Sequence, residues 1–104
     1  MRWQSTPAFN DLKRLSPDEL KLFRKVVREQ FVPAADRIAA DPAAKWPASL
    51  RVKNVEGVVG IWEMTWSFAG PDGRATFEWT RVDGERAIRW RRVGGHSILN
   101  APAR

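Results

Sequence analysis

Residues 74–93, RATFEWTRVDGERAIRWRRV, decide the fold that we expect for this chain. In RATFEWTRV, the apolar side chains of Ala75, Phe77 and Trp79 alternate with polar ones, which is the two-residue period of a strand with one buried face. The sequence DGE at residues 83–85 is typical of a tight turn, and it leads into RAIRWRRV, a second strand rich in arginine. The stretch therefore predicts an antiparallel hairpin.

Another strand is expected before this hairpin. Residues 60–68, GIWEMTWSF, alternate in the same way. One face of this strand holds four apolar side chains, those of Trp62, Met64, Trp66 and Phe68. PDG at residues 71–73 predicts the turn into the hairpin, so the three strands form an antiparallel meander. Residues 49–55, SLRVKNV, predict a fourth strand or an extended segment, and residues 1–5, MRWQS, predict an edge strand.

The first forty residues carry helical signals instead. Thr6 followed by Pro7 is typical of a helix start, with the threonine as the N-cap. Ser16 and Glu19 have the spacing of a capping box at the start of a second helix. Pro33 has no N–H for the helix ladder and crowds the preceding turn, so we expect a kink or a restart there. These signals predict two to three helical segments.

The length and composition fit one small domain. With 104 residues, 43% of them hydrophobic and 29% charged, the chain can bury a single modest core, so we expect one domain over residues 1–104. The helical signals precede the strand signals. We therefore predict an α+β fold in which two to three N-terminal helical segments pack on a three- to five-stranded, mainly antiparallel sheet.

Some function classes are disfavoured by the composition. The chain has no cysteine, which excludes disulfides and thiolate metal sites and fits a reducing compartment, and its single histidine makes a zinc site unfavourable. No apolar run approaches the roughly 18 residues needed to cross a bilayer, and the first residues lack the apolar core of a signal peptide. We expect a cytoplasmic protein with no membrane partner.

The net charge indicates an anionic partner. Eighteen Lys and Arg residues against twelve Asp and Glu residues give a net charge of +6. This excess favours a nucleic acid or an acidic protein segment as the partner. A basic surface that is merely solvated would give the same count, and this alternative stays open.

The polar faces of the predicted strands offer a candidate site. If the tryptophan face packs on the helices, five polar side chains project together from the opposite, open face: Glu63, Thr65, Arg74, Thr76 and Glu78. A purely structural ion pair between Glu63 and Arg74 is the alternative. The basic residues cluster on the same strands and close to His96, and such a sheet can hold an RNA backbone. The alternating tryptophans are expected in the core rather than as stacking faces for bases.

Three segments in a fixed order carry a resemblance to a known family. After two N-terminal helices come LRVKNVEGVVGIWEMTW at residues 50–66, GRATFEW at residues 73–79 and IRWRRVGGH at residues 88–96. Their order and spacing resemble the RelE/ParE superfamily of bacterial toxins, and most closely its RelE and HigB branch, which cleaves mRNA. The resemblance spans residues 2–99, and it rests on the order of short motifs rather than on any single motif.

The resemblance implies a RelE-like fold and a role for each matching residue. Arg74 matches the arginine that contacts the scissile phosphate, where it would neutralise the charge of the transition state. His96 would protonate the leaving 5′ oxygen or take part in acid–base exchange, and Glu63 would take the proton of the ribose 2′-hydroxyl. Five further basic residues would hold the RNA: Arg51, Lys53, Arg89, Arg91 and Arg92. The reaction would use no metal or other cofactor and would leave a cyclic phosphate.

The resemblance also implies the partners, which are a cognate antitoxin and mRNA that is cut in the ribosome. RelE has two lysines where this chain has Glu63 and Thr65, and it has a tyrosine near its C-terminus, whereas this chain has no tyrosine. These departures leave the identity of the general base open. Two other functions also stay open: a gyrase inhibitor of the same superfamily, and a basic RNA- or protein-binding module without catalysis.

Overall fold

The structure, a computed structural model, describes residues 2–67 and 72–94. In this part of the chain, one sheet contains five strands: β1 (Arg2–Ser5), β2 (Lys53–Asn54), β3 (Trp62–Ser67), β4 (Asp72–Val82) and β5 (Glu85–Gly94). Their spatial order is β1-β5-β4-β3-β2, with β1 parallel to β5 and every other pair antiparallel. The predicted meander is therefore confirmed, and so is the predicted edge strand at the N-terminus.

The two predicted turns have different outcomes. Between β4 and β5, Asp83 and Gly84 have φ values of 52° and 81° and connect the paired residues Val82 and Glu85, so the chain makes the expected two-residue hairpin turn. The predicted PDG turn is wrong for residues 72 and 73. Both already belong to β4 and pair with residues 67 and 66 of β3, because extending the ladder satisfies further backbone hydrogen-bonding groups. Residue 71 lies outside the described residues.

Two helical stretches precede the main strands. A 3₁₀ helix covers Pro7–Arg14, and a continuous helix, α1, covers residues 17–40. The predicted capping box at the start of α1 is confirmed: the Glu19 N–H donates to Ser16 Oγ at 3.2 Å, and the Ser16 N–H donates to Glu19 Oε1 at 2.9 Å. These bonds satisfy backbone donors that the first turn of a helix otherwise leaves unpaired.

The sequence predicted a kink or a restart of the helix at Pro33, and the helix does not restart there. Within α1, the α-helical pattern of Pro17–Val26 changes to a π-helical turn at Val27–Phe31 and returns to α-helix at Val32–Ala40. The Val32 N–H donates to the Val27 carbonyl, five residues back. This change of hydrogen-bond pattern, directly before a residue without an N–H, lets the helix continue through the proline.

The helices pack on one face of the sheet around an aromatic core. Phe31 is fully buried, and its ring lies 4.8 to 5.0 Å from the rings of Trp46, Phe77 and Trp90. Met64 and Trp66 of β3 are also buried, while Trp62 and Trp79 are partly buried against the same core. These tryptophans therefore belong to the hydrophobic core, as the alternation predicts. Residue 68 lies outside the described residues. None of the helices in residues 2–67 and 72–94 is long and apolar enough to cross a membrane.

Candidate nucleic-acid interface

The face of the sheet opposite α1 carries the polar residues of the central strands, as predicted, but it is not open. Glu63, Thr65 and Thr76 are 3%, 2% and 0% exposed. The expectation of an open face is wrong: these three residues are buried, and Glu63 and Thr65 contact longer basic side chains of neighbouring strands. Lys53 and Arg74 both reach the Glu63 carboxylate. We call this surface the cationic face.

Glu63 lies between two cations. Its Oε1 atom is 3.5 Å from Lys53 Nζ and 3.9 Å from Arg74 Nη1. Lys53 is the direct cross-strand partner of Glu63, whereas Arg74 pairs with Thr65 and reaches Glu63 diagonally. Arg74 Nη1 also donates to Thr65 Oγ1 at 2.6 Å. The arginine is therefore fixed from two sides, and its side chain is still 20% exposed.

A second carboxylate, Glu78, forms ion pairs with another group of cations. Its Oε1 accepts from Arg89 Nη1 at 2.8 Å, and its Oε2 accepts from Arg91 Nη1 at 2.5 Å. Arg89 additionally donates from Nε and Nη2 to Gln4 Oε1 of β1. Glu78 lies four residues beyond Arg74 on β4, a distance of about 13 Å along an extended strand. The cationic face thus has two centres, one at each carboxylate.

A β-bulge in β5 places two consecutive arginines on the cationic face. Thr76 pairs with Arg92, but the next residue, Phe77, pairs with Trp90, so Arg91 has no counterpart on β4. Trp90 and Val93 on either side of the bulge are buried in the core. The bulge therefore interrupts the two-residue alternation. As a result, the side chains of Arg91 and Arg92 both lie on the polar side of the sheet.

Thr6 holds this bulge in place. Its N–H donates to the Trp90 carbonyl at 2.9 Å, and its hydroxyl donates to the Arg91 carbonyl at 3.0 Å. The predicted N-cap role of the Thr6 side chain is wrong, because its oxygen makes no capping bond to the 3₁₀ helix. Gln4 and Thr6 were both missed as contributors to the site. Gln4 lies on β1 and Thr6 directly follows it, and the sequence did not predict that β1 pairs with β5.

At the Glu63 centre, two buried polar atoms have no hydrogen-bond partner among the described residues. They are Arg74 Nε and Thr76 Oγ1. Each is shielded from solvent, so a ligand contacts them only after a side chain moves. Buried groups of this kind usually have partners. Both residues lie beside Glu63.

The structure brings together most of the predicted site residues. The cationic face includes Glu63, Arg74, Lys53, Arg89, Arg91 and Arg92. Arg51 does not lie on the sheet: it is exposed, has a left-handed backbone with φ 46° and follows a short 3₁₀ helix at Ala48–Leu50. His96 lies outside the described residues.

Fold and site together define a small α+β protein with helices on one face of its sheet and a cationic second face. Comparison with known proteins gave no matching family model, no matching curated protein and no matching solved structure.

Proposed function

We propose that this protein is the toxin of a type II toxin–antitoxin system, of the RelE/ParE superfamily, and that it cleaves mRNA on the ribosome in the cytoplasm. The observation that carries the proposal is the setting of Arg74. It is held by Glu63 and Thr65 in the centre of a sheet face that also presents Lys53 and Arg92.

Substrate binding uses the positive charge of this face. Phosphate oxygens are matched by guanidinium groups, which donate two parallel hydrogen bonds, and lysine adds a point charge. Arg91 and Arg92, brought to one side by the bulge, extend the charge along β5. Binding that depends on such contacts weakens as the salt concentration rises, because counterions compete for the phosphates.

The proposed reaction is an internal transesterification. The ribose 2′-oxygen attacks the adjacent phosphorus, the bond from phosphorus to the 5′ oxygen of the next nucleotide breaks, and the products carry a 2′,3′-cyclic phosphate and a 5′-hydroxyl. A base takes the proton of the 2′-hydroxyl, and His96 supplies a proton to the leaving oxygen. Arg74 stabilises the negative charge that builds on the phosphoryl oxygens.

Glu63 is the candidate base, and its burial suggests how it becomes available. In the free protein its carboxylate is 3% exposed and faces Lys53 and Arg74. A bound phosphate competes for the same two cations. As these side chains turn towards the phosphate, the Glu63 carboxylate loses its partners and can accept the 2′-proton.

Induced expression in a bacterial host tests this function. The native chain should arrest growth, whereas Arg74→Ala, Arg74→Lys, Glu63→Gln and His96→Ala should relieve the arrest; Arg37→Ala, which removes an exposed cation on α1, is the matched control. The yield and melting temperature of each variant show that loss of arrest is not loss of fold.

The other outcomes separate the alternatives. Arrest with DNA damage and intact transcripts would identify a gyrase inhibitor instead. Absence of arrest from folded native protein would leave a non-catalytic basic binding module. Arrest that persists in Arg74→Ala would remove the basis of the proposed chemistry.

A further inference from the structure

The second centre of the cationic face, at Glu78, has no part in the proposed reaction. Glu78 and Arg74 lie on the same strand, about 13 Å apart, whereas a hydrogen bond spans about 3 Å. Each has its own partners: Arg74 is held by Glu63 and Thr65, and Glu78 by two arginines of β5. A phosphate bound at the Glu63 centre therefore leaves the Glu78 centre available to another part of the ligand.

The Glu78 centre holds the guanidinium group of Arg89 in a fixed orientation. Arg89 Nη1 donates to Glu78 Oε1 at 2.8 Å, and Arg89 Nε and Nη2 donate to Gln4 Oε1 at 3.1 and 2.9 Å. These bonds use one N–H of each nitrogen, so one N–H remains on Nη1 and one on Nη2. Since 36% of this side chain is exposed, a ligand can contact it from solvent.

The N-terminal edge of the sheet fixes the same stretch of β5. Gln4 bonds to the side chain of Arg89. The Thr6 N–H and hydroxyl donate to the carbonyls of Trp90 and Arg91. Three consecutive residues of β5 are therefore held by β1 and the residue that follows it. Arginines held in this way lose little conformational freedom when they bind a phosphate, which favours binding.

The Glu78 centre keeps a positive charge although it contains a carboxylate. Glu78 offsets only one of the two cations that it contacts, Arg89 and Arg91. Arg92 adds a further cation between the two centres, because it pairs with Thr76. A row of cations therefore connects the centres. Its length of about 13 Å corresponds to several nucleotides, since a stacked strand advances by about 3.4 Å per nucleotide.

This centre suits the backbone of a nucleic acid rather than its bases. Guanidinium groups match phosphate oxygens. The aromatic side chains on the same stretches of β4 and β5 pack in the core or against it: Phe77, Trp79 and Trp90. These rings therefore offer no stacking surface to a base on the cationic face. Contacts to phosphates position a strand without reading its sequence.

We infer that the Glu78 centre binds a second phosphate of the RNA strand, apart from the phosphate that is attacked at Arg74. Glu78 and Gln4 are positioning residues in this site, because they hold the arginines and do not touch the phosphate themselves. The identity of the ligand as an RNA strand rests on the proposed function. Binding here does not require cleavage, since it involves none of the reacting groups.

RNA binding by Glu78→Gln tests the site, because charge and positioning predict opposite results. The substitution removes a negative charge, so binding would tighten if Glu78 only repelled phosphate. If Glu78 positions the arginines, binding weakens in spite of the added charge. Fluorescence anisotropy would measure the Kd of the full-length protein for a fluorescein-labelled RNA of about eight nucleotides, whose 2′-O-methyl groups prevent cleavage. Glu29→Gln makes the same change of charge on α1 and is the matched control.

We expect Glu78→Gln and Gln4→Ala to raise the Kd by about threefold or more, and Arg89→Ala/Arg91→Ala by about tenfold. Glu29→Gln should stay within about twofold of native. In the double arginine variant, log Kd should also depend less steeply on log salt concentration, by about 0.7 for each lost phosphate contact. Melting temperatures show whether each variant is folded. Gln4 is exposed, and its substitution does not remove the ion pairs of Glu78.

Tighter or unchanged binding by a folded Glu78→Gln protein would overturn the inference, and Gln4→Ala decides the question if Glu78→Gln does not fold. Absence of saturable RNA binding by the native protein would also overturn it, as would a glutamate-rich peptide that binds through Arg89 and Arg91 in place of RNA. Cleavage in cells is a separate measurement. RNA binding that depends on Glu78, without growth arrest by the native protein, would refute the proposed nuclease and support this site, whereas arrest without that dependence would do the reverse.

Discussion

Glu63 shows how one buried carboxylate can organise a cationic surface. Of its two partners, Lys53 has a side chain that is 72% exposed and Arg74 one that is only 20% exposed. An exposed lysine contributes little to the stability of an ion pair, because water screens the charge and the long side chain loses conformational freedom. The less exposed arginine should therefore carry most of the interaction with Glu63.

This difference gives a prediction for stability. We expect Arg74→Ala to lower the free energy of unfolding by about 1–3 kcal/mol, since it leaves a buried carboxylate with only the exposed lysine as a partner. Lys53→Ala should cost less than about 1 kcal/mol. Urea denaturation measures both, and the cost of Arg74→Ala should fall in a Glu63→Gln background. Equal costs in the two backgrounds would show that Arg74 does not act through the Glu63 charge.

Thr6 gives a second prediction at the level of one residue. Thr6→Val keeps the shape of the side chain but removes the hydroxyl that donates to the Arg91 carbonyl. We expect a loss of about 1 kcal/mol in the free energy of unfolding, whereas Thr6→Ser, which keeps the donor, should lose less than half of that. A Thr6→Val protein as stable as the native one would mean that the bulge does not need this bond.

Among the elements, the hairpin between β4 and β5 depends most clearly on backbone conformation. Gly84 has φ 81°, and a Cβ atom added there would meet no other atom within 4 Å. Gly84→Ala should therefore destabilise the protein by about 1–2 kcal/mol through backbone strain alone, with no steric clash. Gly84→Asn should cost less, because asparagine tolerates the left-handed conformation. Equal melting temperatures for the two variants would contradict this explanation.

The elements also show what the sequence could and could not predict. The alternation in residues 62–67 and 74–82 correctly predicted strands with an apolar face in the core, because a two-residue period follows directly from strand geometry. The bulge at Arg91 and the parallel partner of β1 depend on contacts between distant segments. No local pattern records such contacts.

For the candidate site, too, the sequence could not predict features that depend on contacts between distant segments. The sequence predicted which side chains share the polar face, since residues two positions apart in a strand point to the same side of the sheet. It did not predict that Glu63 is buried, because this depends on where the long side chains of Lys53 and Arg74 lie. The pairing of Arg89 and Arg91 with Glu78 was likewise set by the register of β4 and β5.

The whole molecule separates two surfaces by the thickness of its sheet. Helix α1 packs on one side, and the cationic face with Arg74 occupies the other.

The chemistry of RNA ends tests the proposed activity most directly. Transcripts from cells that express the native chain or Arg74→Ala would be sequenced by a method that captures only 5′-hydroxyl ends, with Arg37→Ala as the control. We expect new 5′-hydroxyl ends within mRNA for the native and control proteins and none for Arg74→Ala. Growth arrest by the native protein without new 5′-hydroxyl ends, or the same ends with Arg74→Ala, would contradict the proposed cleavage.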